Sequence, residues 1–112
     1  MATNSNNIFT GIAEQLPEEL IECLFKRENI TIERIVSKGH ITPAGQWYDQ
    51  AWDEWIIVLK GEAVLCYEQD TQLITLKTGD YLLIPTHTRH CVVLTATDTA
   101  TIWLAVHIRN TP

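Results

Sequence analysis

Two short stretches of the chain carry side chains suited to acid–base or metal chemistry. Glu54 opens an apolar run that continues to Leu59 and is followed by Gly61. A carboxylate beside an apolar core must be paired, solvated or bound to a metal, because an isolated buried charge is costly. His87 and His90 follow a second apolar run, and imidazole is both the commonest metal ligand and the usual acid–base group near neutral pH. These residues are the first candidates for a reactive site.

Simpler interpretations of these residues stay open. Glu54 could be an acid at the end of a strand, facing water beside Asp53. His87 lies in a turn, which is more typical of a surface or supporting residue than of a ligand. His107 belongs to the run Ile102–Ile108, whose two faces are both largely apolar. The sequence therefore allows His107 to be either a pocket residue or a buried or interfacial histidine.

The elements that would position these residues follow a pattern typical of an all-β domain. Residues 30–36 are rich in β-branched side chains and predict a strand. After a break rich in glycine and proline, short apolar runs alternate with turn residues, and no helical segment separates them. The predicted strands are Glu54–Leu59, Ala63–Tyr67, Leu73–Leu76, Tyr81–Ile84, Cys91–Leu94 and Ile102–Ile108. This spacing favours an antiparallel sandwich or barrel.

The first 29 residues predict a polar tail followed by a short helix. Pro17 suits the first helical position, and the acidic residues after it complement the positive end of the helix dipole. Apolar side chains recur at helical spacing over about ten residues; they are Leu16, Leu20, Cys23 and Leu24. We therefore expect residues 1–29 to form a tail and a helix that packs on a barrel built from residues 30–112.

Length, charge and hydropathy exclude several classes of protein. The chain has 112 residues, enough for one domain, and a net charge of −6 with scattered Lys and Arg. Nucleic acid is an unfavourable partner for such a surface. The opening residues MATNSNN lack the basic and apolar regions of a signal peptide and are not expected to be one. No apolar stretch approaches the roughly 20 residues of a membrane span. These features predict a cytoplasmic protein without a membrane partner. Cys66 and Cys91 are expected to act as small buried apolar residues rather than as a disulfide.

Two linked motifs resemble those of the cupin superfamily. Glu54 and Gly61 match the glutamate and closing glycine of the first cupin motif, and Gly79, Pro85 and His90 match the second. The resemblance implies a jelly-roll β-barrel. It also implies a metal held inside by two histidines of the first motif, its glutamate and the histidine of the second. Short cupins likened to mannose-6-phosphate isomerase are similar to a chain of this type.

This chain departs from the family at the first two metal positions, where Tyr48 and Gln50 replace histidines. Alternation along a strand places both side chains on one face. Phenol and amide oxygens are weak ligands beside imidazole. A site of Gln50, Glu54 and His90 would therefore suit a loosely held, harder divalent ion. It would equally work without metal, as a hydrogen-bonding pocket for a polar ligand.

Four aromatic residues lie within nine positions around this site, namely Trp47, Tyr48, Trp52 and Trp55. Trp47 and Tyr48 point to opposite faces, so one is expected to line the pocket while the other packs elsewhere. They could equally be core residues of a small barrel or residues of an interface. The predicted ligand-binding set is Trp47, Tyr48, Gln50, His87 and His107. Arg34 and Arg89 are the candidates for holding an anion.

Three functions are compatible with these residues. The first is a sugar-phosphate isomerase or epimerase, in which Glu54 or His90 transfers a proton while Tyr48 and Gln50 orient a small polar substrate. The second is a ligand-binding module without chemistry. The third is a metal-dependent dioxygenase, which the loss of both first-motif histidines disfavours. An exposed strand edge and the length typical of paired cupins predict a homodimer.

Overall fold

Eight β-strands form two antiparallel sheets in the computed structural model, which describes residues 4–110 with the side chain of Thr71 excepted. The strands are β1 (Leu20–Arg27), β2 (Ile30–Ser37), β3 (Asp53–Lys60), β4 (Glu62–Tyr67), β5 (Asp70–Lys77), β6 (Tyr81–Ile84), β7 (His90–Thr95) and β8 (Thr101–Ile108). The larger sheet has the order β1-β2-β8-β3-β6, and the smaller has the order β5-β4-β7. Each strand predicted from residue 30 onward is therefore confirmed.

The predicted N-terminal helix is wrong, because residues Leu20–Arg27 form β1 at the edge of the larger sheet. A hairpin pairs them with β2, from Leu20 opposite Val36 to Arg27 opposite Ile30. An isolated helix of about ten residues is marginal in water, whereas the hairpin satisfies the backbone through a non-local partner that local spacing does not reveal. The larger sheet thus begins before residue 30. Within residues 4–110, no helix is long and apolar enough to cross a membrane.

The two sheets face each other without closing into the expected barrel. Between them lies an apolar core of Ile56, Val58, Ala63, Leu65, Leu76, Ile84, Trp103 and Ala105. Strand alternation explains this set, because Ile56 and Val58 on β3 lie directly opposite Ala105 and Trp103 on β8 and share their face. The inner face of β8 is therefore the one that carries Trp103, Ala105 and His107. This register settles the side that the sequence left open.

Gly61 alone connects β3 to β4 and has a left-handed backbone, with φ of 88°. A Cβ atom there would lie 2.8 Å from Cα of Thr101 and 3.0 Å from the carbonyl oxygen of Ala100. Real Cβ atoms do not approach backbone atoms so closely, so the position requires glycine for space as well as for backbone angle. This tight connection joins the two sheets at the C-terminal end of β3, whereas Glu54 lies near the N-terminal end of that strand.

The segment before β1 is held against the sheet by Arg34 of β2. Its guanidinium forms an ion pair with Glu22, and its Nη1 donates to the carbonyl oxygens of Ile8, at 3.1 Å, and Thr10, at 2.6 Å. Arg34 is buried and lies on the opposite face of β2 from Glu33. Its charge is used to fix the N-terminal segment, so a role for Arg34 in holding an anion stays a prediction that no contact here supports.

The three cysteines are free thiols. Cys66 on β4 and Cys91 on β7 lie directly opposite each other, and both are half-buried rather than fully buried as expected. Burial raises the pKa of the Cys91 thiol, and the neighbouring Cys66 adds a smaller increase. A raised pKa makes a thiol less reactive.

Candidate functional site

A cavity of about 100 Å³ opens between the sheets beside the apolar core. Its apolar wall consists of Ile21, Ile35, Ile56, Leu65, Ile84, Val92 and Trp103. Its polar wall consists of Glu19, Glu33, Tyr48, Gln50, Glu54, His90 and His107. Pockets for drug-sized molecules measure about 300–1,000 Å³, so this cavity encloses a much smaller molecule or one end of a larger one.

Three neighbouring strands of the larger sheet place Glu33, Glu54 and His107 together. Glu54 on β3 lies directly opposite His107 on β8. Glu33 on β2 is opposite Ala105, one inward-facing position away from His107 on the same strand. Directly and diagonally opposed residues share a face and lie within reach of each other. The sheet register therefore gathers two carboxylates around one imidazole.

His90 approaches from the smaller sheet, at the start of β7. A backbone bridge fixes it beside Tyr48, with the Tyr48 N–H donating to the His90 carbonyl over 2.8 Å and the His90 N–H donating back over 3.1 Å. The two rings stack with centroids 5.5 Å apart. Gln50 lies two residues along and also faces the cavity, as strand alternation predicts. This bridge brings the Tyr48–Gln50 segment to the cavity wall.

The proton of His107 is assigned by its two hydrogen bonds. The indole N–H of Trp52 can only donate, and it lies 2.8 Å from Nδ1 of His107. Nδ1 must therefore accept, which leaves the proton of a neutral ring on Nε2. Nε2 in turn donates to Oε1 of Glu33 over 2.8 Å. Both ring nitrogens of His107 are thus engaged with protein partners.

His90 has the opposite arrangement. Its Nδ1 donates to the carbonyl oxygen of Thr88 over 2.8 Å, because a carbonyl can only accept. In the neutral ring, Nε2 therefore carries the lone pair, and it lies 3.7 Å from Oε1 of Glu54, which is too long for a hydrogen bond. The other oxygen of Glu54 is 4.0 Å from Nε2 of His107. Both Glu54 and His90 are more than nine-tenths buried, yet these facing atoms remain free to bind a ligand.

Burial shapes the protonation of two groups in this wall. Burial raises the pKa of the Glu54 carboxyl, and the charge on Glu33 adds to that effect, whereas His107 and His90 act against it. Burial also raises the pKa of the Tyr48 phenol, and the negative charge of Glu19 adds to it. Glu54 therefore holds a proton at a higher pH than an exposed glutamate does, which is the condition for a general acid.

The donor set does not match a closed metal site. Residues 4–110 contain no group of three or more His, Cys, Asp or Glu side chains placed to hold a metal ion. His107 has no nitrogen to offer, because Trp52 and Glu33 use both of them. Gln50, Glu54 and His90 do share the cavity, so a loosely held ion at these three residues stays a prediction.

Of the seven residues predicted to be catalytic or ligand-binding, five line the cavity and two, Trp47 and His87, do not. Tyr48, Gln50, Glu54, His90 and His107 all line it. His87 lies outside, with 68% of its side chain exposed, and its Nδ1 is 3.0 Å from Asp49. Trp47 is half-buried and is not part of the cavity wall. Arg89 is exposed and pairs with Glu68 at 3.1 Å, also away from the cavity.

Sequence reasoning missed Glu33 and the role of Trp52. Glu33 is a charged residue within a strand rich in β-branched side chains, and strand alternation places it on the same face as Ile35. That alternation could have indicated a carboxylate that points inward. Trp52 belonged to the aromatic group, but its hydrogen bond to His107 joins residues 55 positions apart. No local pattern predicts a contact of that separation.

Comparison with known proteins agrees with the motifs. A family model described as a cupin domain matches residues 35–107, while no curated protein matches the chain. A solved structure from Ralstonia eutropha JMP134, described as a putative mannose-6-phosphate isomerase, is 38% identical. The match covers 96% of this chain and 100% of that one, with a TM-score of 0.92.

More distant structures support the fold alone. A cupin superfamily protein from Desulfitobacterium hafniense DCB-2 has a TM-score of 0.72 at 21% identity, over 88% of this chain and 84% of that one. An RmlC-like cupin family protein with a double-stranded β-helix fold, from Methanocaldococcus jannaschii, has a TM-score of 0.68 at 19% identity. That match covers 88% of this chain and 87% of the other.

Proposed function

This chain belongs to the cupin family, and from that premise we propose that its cavity binds a small polar molecule and exchanges protons with it through Glu54 and His90. The observation that carries the proposal is the pair itself. Both side chains are more than nine-tenths buried and face the cavity, and their nearest atoms are 3.7 Å apart. Such a gap allows one ligand atom to contact both groups.

The two groups suit complementary roles in an isomerase or epimerase. His90 presents a lone pair on Nε2 and takes a proton from a carbon next to a carbonyl group. In its protonated form, which burial favours, Glu54 gives its proton to the carbonyl oxygen, which yields an enediol. His90 then returns its proton to the former carbonyl carbon while the other hydroxyl of the enediol gives its proton to Glu54, which completes an isomerisation without an oxidant. In an epimerisation, solvent delivers a proton to the opposite face of the original carbon and the first hydroxyl gives its proton back to Glu54. Tyr48 and Gln50 orient the substrate at the mouth.

Proton exchange with solvent tests this proposal. The full chain is incubated in D₂O with a panel of aldoses, ketoses, their phosphates and keto acids, and deuterium incorporation is followed by NMR. We expect incorporation at the carbon beside the carbonyl of at least one compound, and its loss in Glu54→Gln and His90→Ala. His87→Ala is the matched control, because His87 lies outside the cavity. Equal incorporation by the wild type and His90→Ala would contradict the proposal.

A ligand-binding module without chemistry is the second candidate. The small size of the cavity favours it, because about 100 Å³ encloses only part of a sugar phosphate. Binding that depends on Glu54 and is accompanied by no deuterium incorporation across the panel would favour the module over the isomerase.

A metal-dependent dioxygenase is the weakest candidate, because it would need two histidines and a carboxylate around one ion. Of the two histidines that line the cavity in the described chain, His90 has a ring nitrogen without a protein hydrogen bond, while both nitrogens of His107 are engaged. Metal analysis of the purified protein tests this directly, and a stoichiometric ion lost in Glu54→Gln would restore the metal-dependent interpretation. The homodimer and the cytoplasmic location stay predictions, the first of them measurable by light scattering.

A further inference from the structure

The cavity wall carries negative charge with no basic side chain to offset it. Three carboxylates line it, those of Glu19, Glu33 and Glu54, while no lysine or arginine of the described chain does. Glu54 is the most buried of them, and neither of its oxygens has a nitrogen of His90 or His107 within hydrogen-bond distance. A buried carboxylate that faces an open cavity needs a donor from a ligand or from water.

The basic residues near this end of the fold are engaged elsewhere. Arg34 holds Glu22 and the N-terminal segment on the other face of β2. Arg109 lies over the ring of Trp52, at 4.4 Å from its centroid, and donates to Oγ1 of Thr31. Neither guanidinium lines the cavity, so no arginine fork is available there to hold a phosphate group.

The histidines do not reverse this polarity. The Nε2 proton of His107 is used by Glu33, and His90 presents a lone pair because its proton lies on Nδ1. The free atoms that converge on the cavity are therefore acceptors, namely the carboxylate oxygens of Glu54 and Nε2 of His90. An ammonium group offers three N–H donors and a positive charge, which is the complement of this set.

The remaining wall suits the rest of such a molecule. Tyr48 and Trp103 border the cavity with aromatic rings, and aromatic faces attract cations. Aliphatic side chains such as Ile56 and Ile84 provide an apolar surface for a short hydrocarbon part. A phosphate dianion would instead meet three carboxylates in a partly desolvated site, where like charges repel strongly.

Resting on the binding site of the proposed function, with Glu54 in its ionised form rather than acting as the acid, we infer that the ligand of this cavity presents an ammonium or similar cationic group to Glu54 and His90, and that phosphorylated sugars are not its ligands. The substrate class is then a small amine-bearing molecule, such as an amino sugar or an amino ketone. A phosphosugar, the substrate class named for the 38% identical structure, would be selected against by charge.

Probes of equal size and opposite charge test this inference. The full chain is titrated with propylammonium, with propionate and with mannose 6-phosphate by isothermal titration calorimetry, and the Trp103 indole resonance locates binding in the cavity. We expect propylammonium to bind at least about tenfold more tightly than propionate. Glu54→Gln should abolish this preference, whereas Glu28→Gln, at an exposed turn, should keep it.

Equal responses to the cation and the anion, including no response to either, would overturn the inference. Tighter binding of mannose 6-phosphate than of propylammonium would also overturn it. If mannose 6-phosphate bound in a manner that depends on Glu54, the proposed site would survive and only the charge of its ligand would be wrong. Unchanged deuterium incorporation in His90→Ala would remove the proposed chemistry whichever charge binds.

Discussion

The indole of Trp52 donates its N–H to Nδ1 of His107 over 2.8 Å, from the loop before β3 to the end of β8. The rings meet edge to face with centroids 5.9 Å apart. This single contact decides which nitrogen of His107 carries the proton and therefore which atom faces Glu33. A tryptophan outside the cavity wall thus determines the chemistry of a histidine within it.

Removing this donor should allow the His107 ring to adopt either neutral tautomer. Trp52→Phe keeps an aromatic ring but removes the indole N–H, so Nδ1 loses its partner. We expect a loss of about 0.5–1.5 kcal/mol in the free energy of unfolding. In ¹⁵N NMR spectra the imidazole of His107 should show a mixture of tautomers instead of one. Trp47→Phe, at a half-buried position outside the cavity, should leave these signals unchanged; a single unaltered tautomer in Trp52→Phe would show that Trp52 does not assign it.

Glu54 should make stability depend on pH in a defined direction. Its folded pKa is raised by burial, so the folded state binds the proton more tightly than the unfolded state. Stability is then fullest below about pH 4.3, the ordinary pKa of glutamate, and falls as the pH rises toward the raised folded pKa. Glu54→Gln cannot ionise and escapes this loss.

Thermal unfolding across this pH range measures the effect. Glu54→Gln should match the wild type in stability at acidic pH and exceed it at neutral pH. Glu28→Gln, at an exposed turn, should show no such divergence. If the stability of Glu54→Gln relative to the wild type instead rose as the pH fell, the sign of the effect would be reversed and the assignment refuted.

The connection between β3 and β4 should not tolerate a side chain. Gly61→Ala adds left-handed backbone strain of about 1–2 kcal/mol, and its Cβ would also collide with the backbone of Thr101 and Ala100. Gly79→Ala is the matched control, because φ there is 92° and nothing lies within 4 Å of the added atom. Denaturant unfolding should show a clearly larger loss for Gly61→Ala; equal losses would mean that the backbone angle alone accounts for both.

Arg34 and Arg89 form ion pairs whose contributions should differ. Arg34→Met leaves Glu22 and two carbonyl oxygens without their buried donor, which we expect to cost about 1–3 kcal/mol. Arg89→Met breaks a pair with both side chains over a third exposed, so its cost should stay within about 0–1 kcal/mol. Arg34→Met should also speed proteolysis of the segment around Ile8 and Thr10. Identical protease sensitivity in the two variants would show that Arg34 does not hold this segment.

Most strands could be predicted because their signals are local. Apolar runs bounded by residues such as Gly61 and Gly79 define β3 to β6 directly. The convergence of Glu54 and His90 was implied by the resemblance of two motifs to those of cupins. Tyr48 and Gln50 reached the same wall because alternation along an extended chain has a period of two.

The failures share a dependence on distant partners. β1 has helical spacing, yet its backbone pairs with β2 and its Glu22 meets Arg34. The open seam between the sheets could not be predicted from strand count, because a sandwich and a barrel share one alternation pattern. Glu33 and Trp52 acquire their roles only through His107, which is 74 and 55 positions away.

The hydrogen bonds that hold His107 also affect the entropy cost of binding a ligand in the cavity. Trp52 and Glu33 hold this ring from both sides, and Thr88 and the stacked ring of Tyr48 hold His90. Immobilising a loose side chain on binding typically costs about 0.5–1.5 kcal/mol. Here that entropy is already lost when the chain folds, so an incoming molecule meets a preorganised wall and needs only to shed its water.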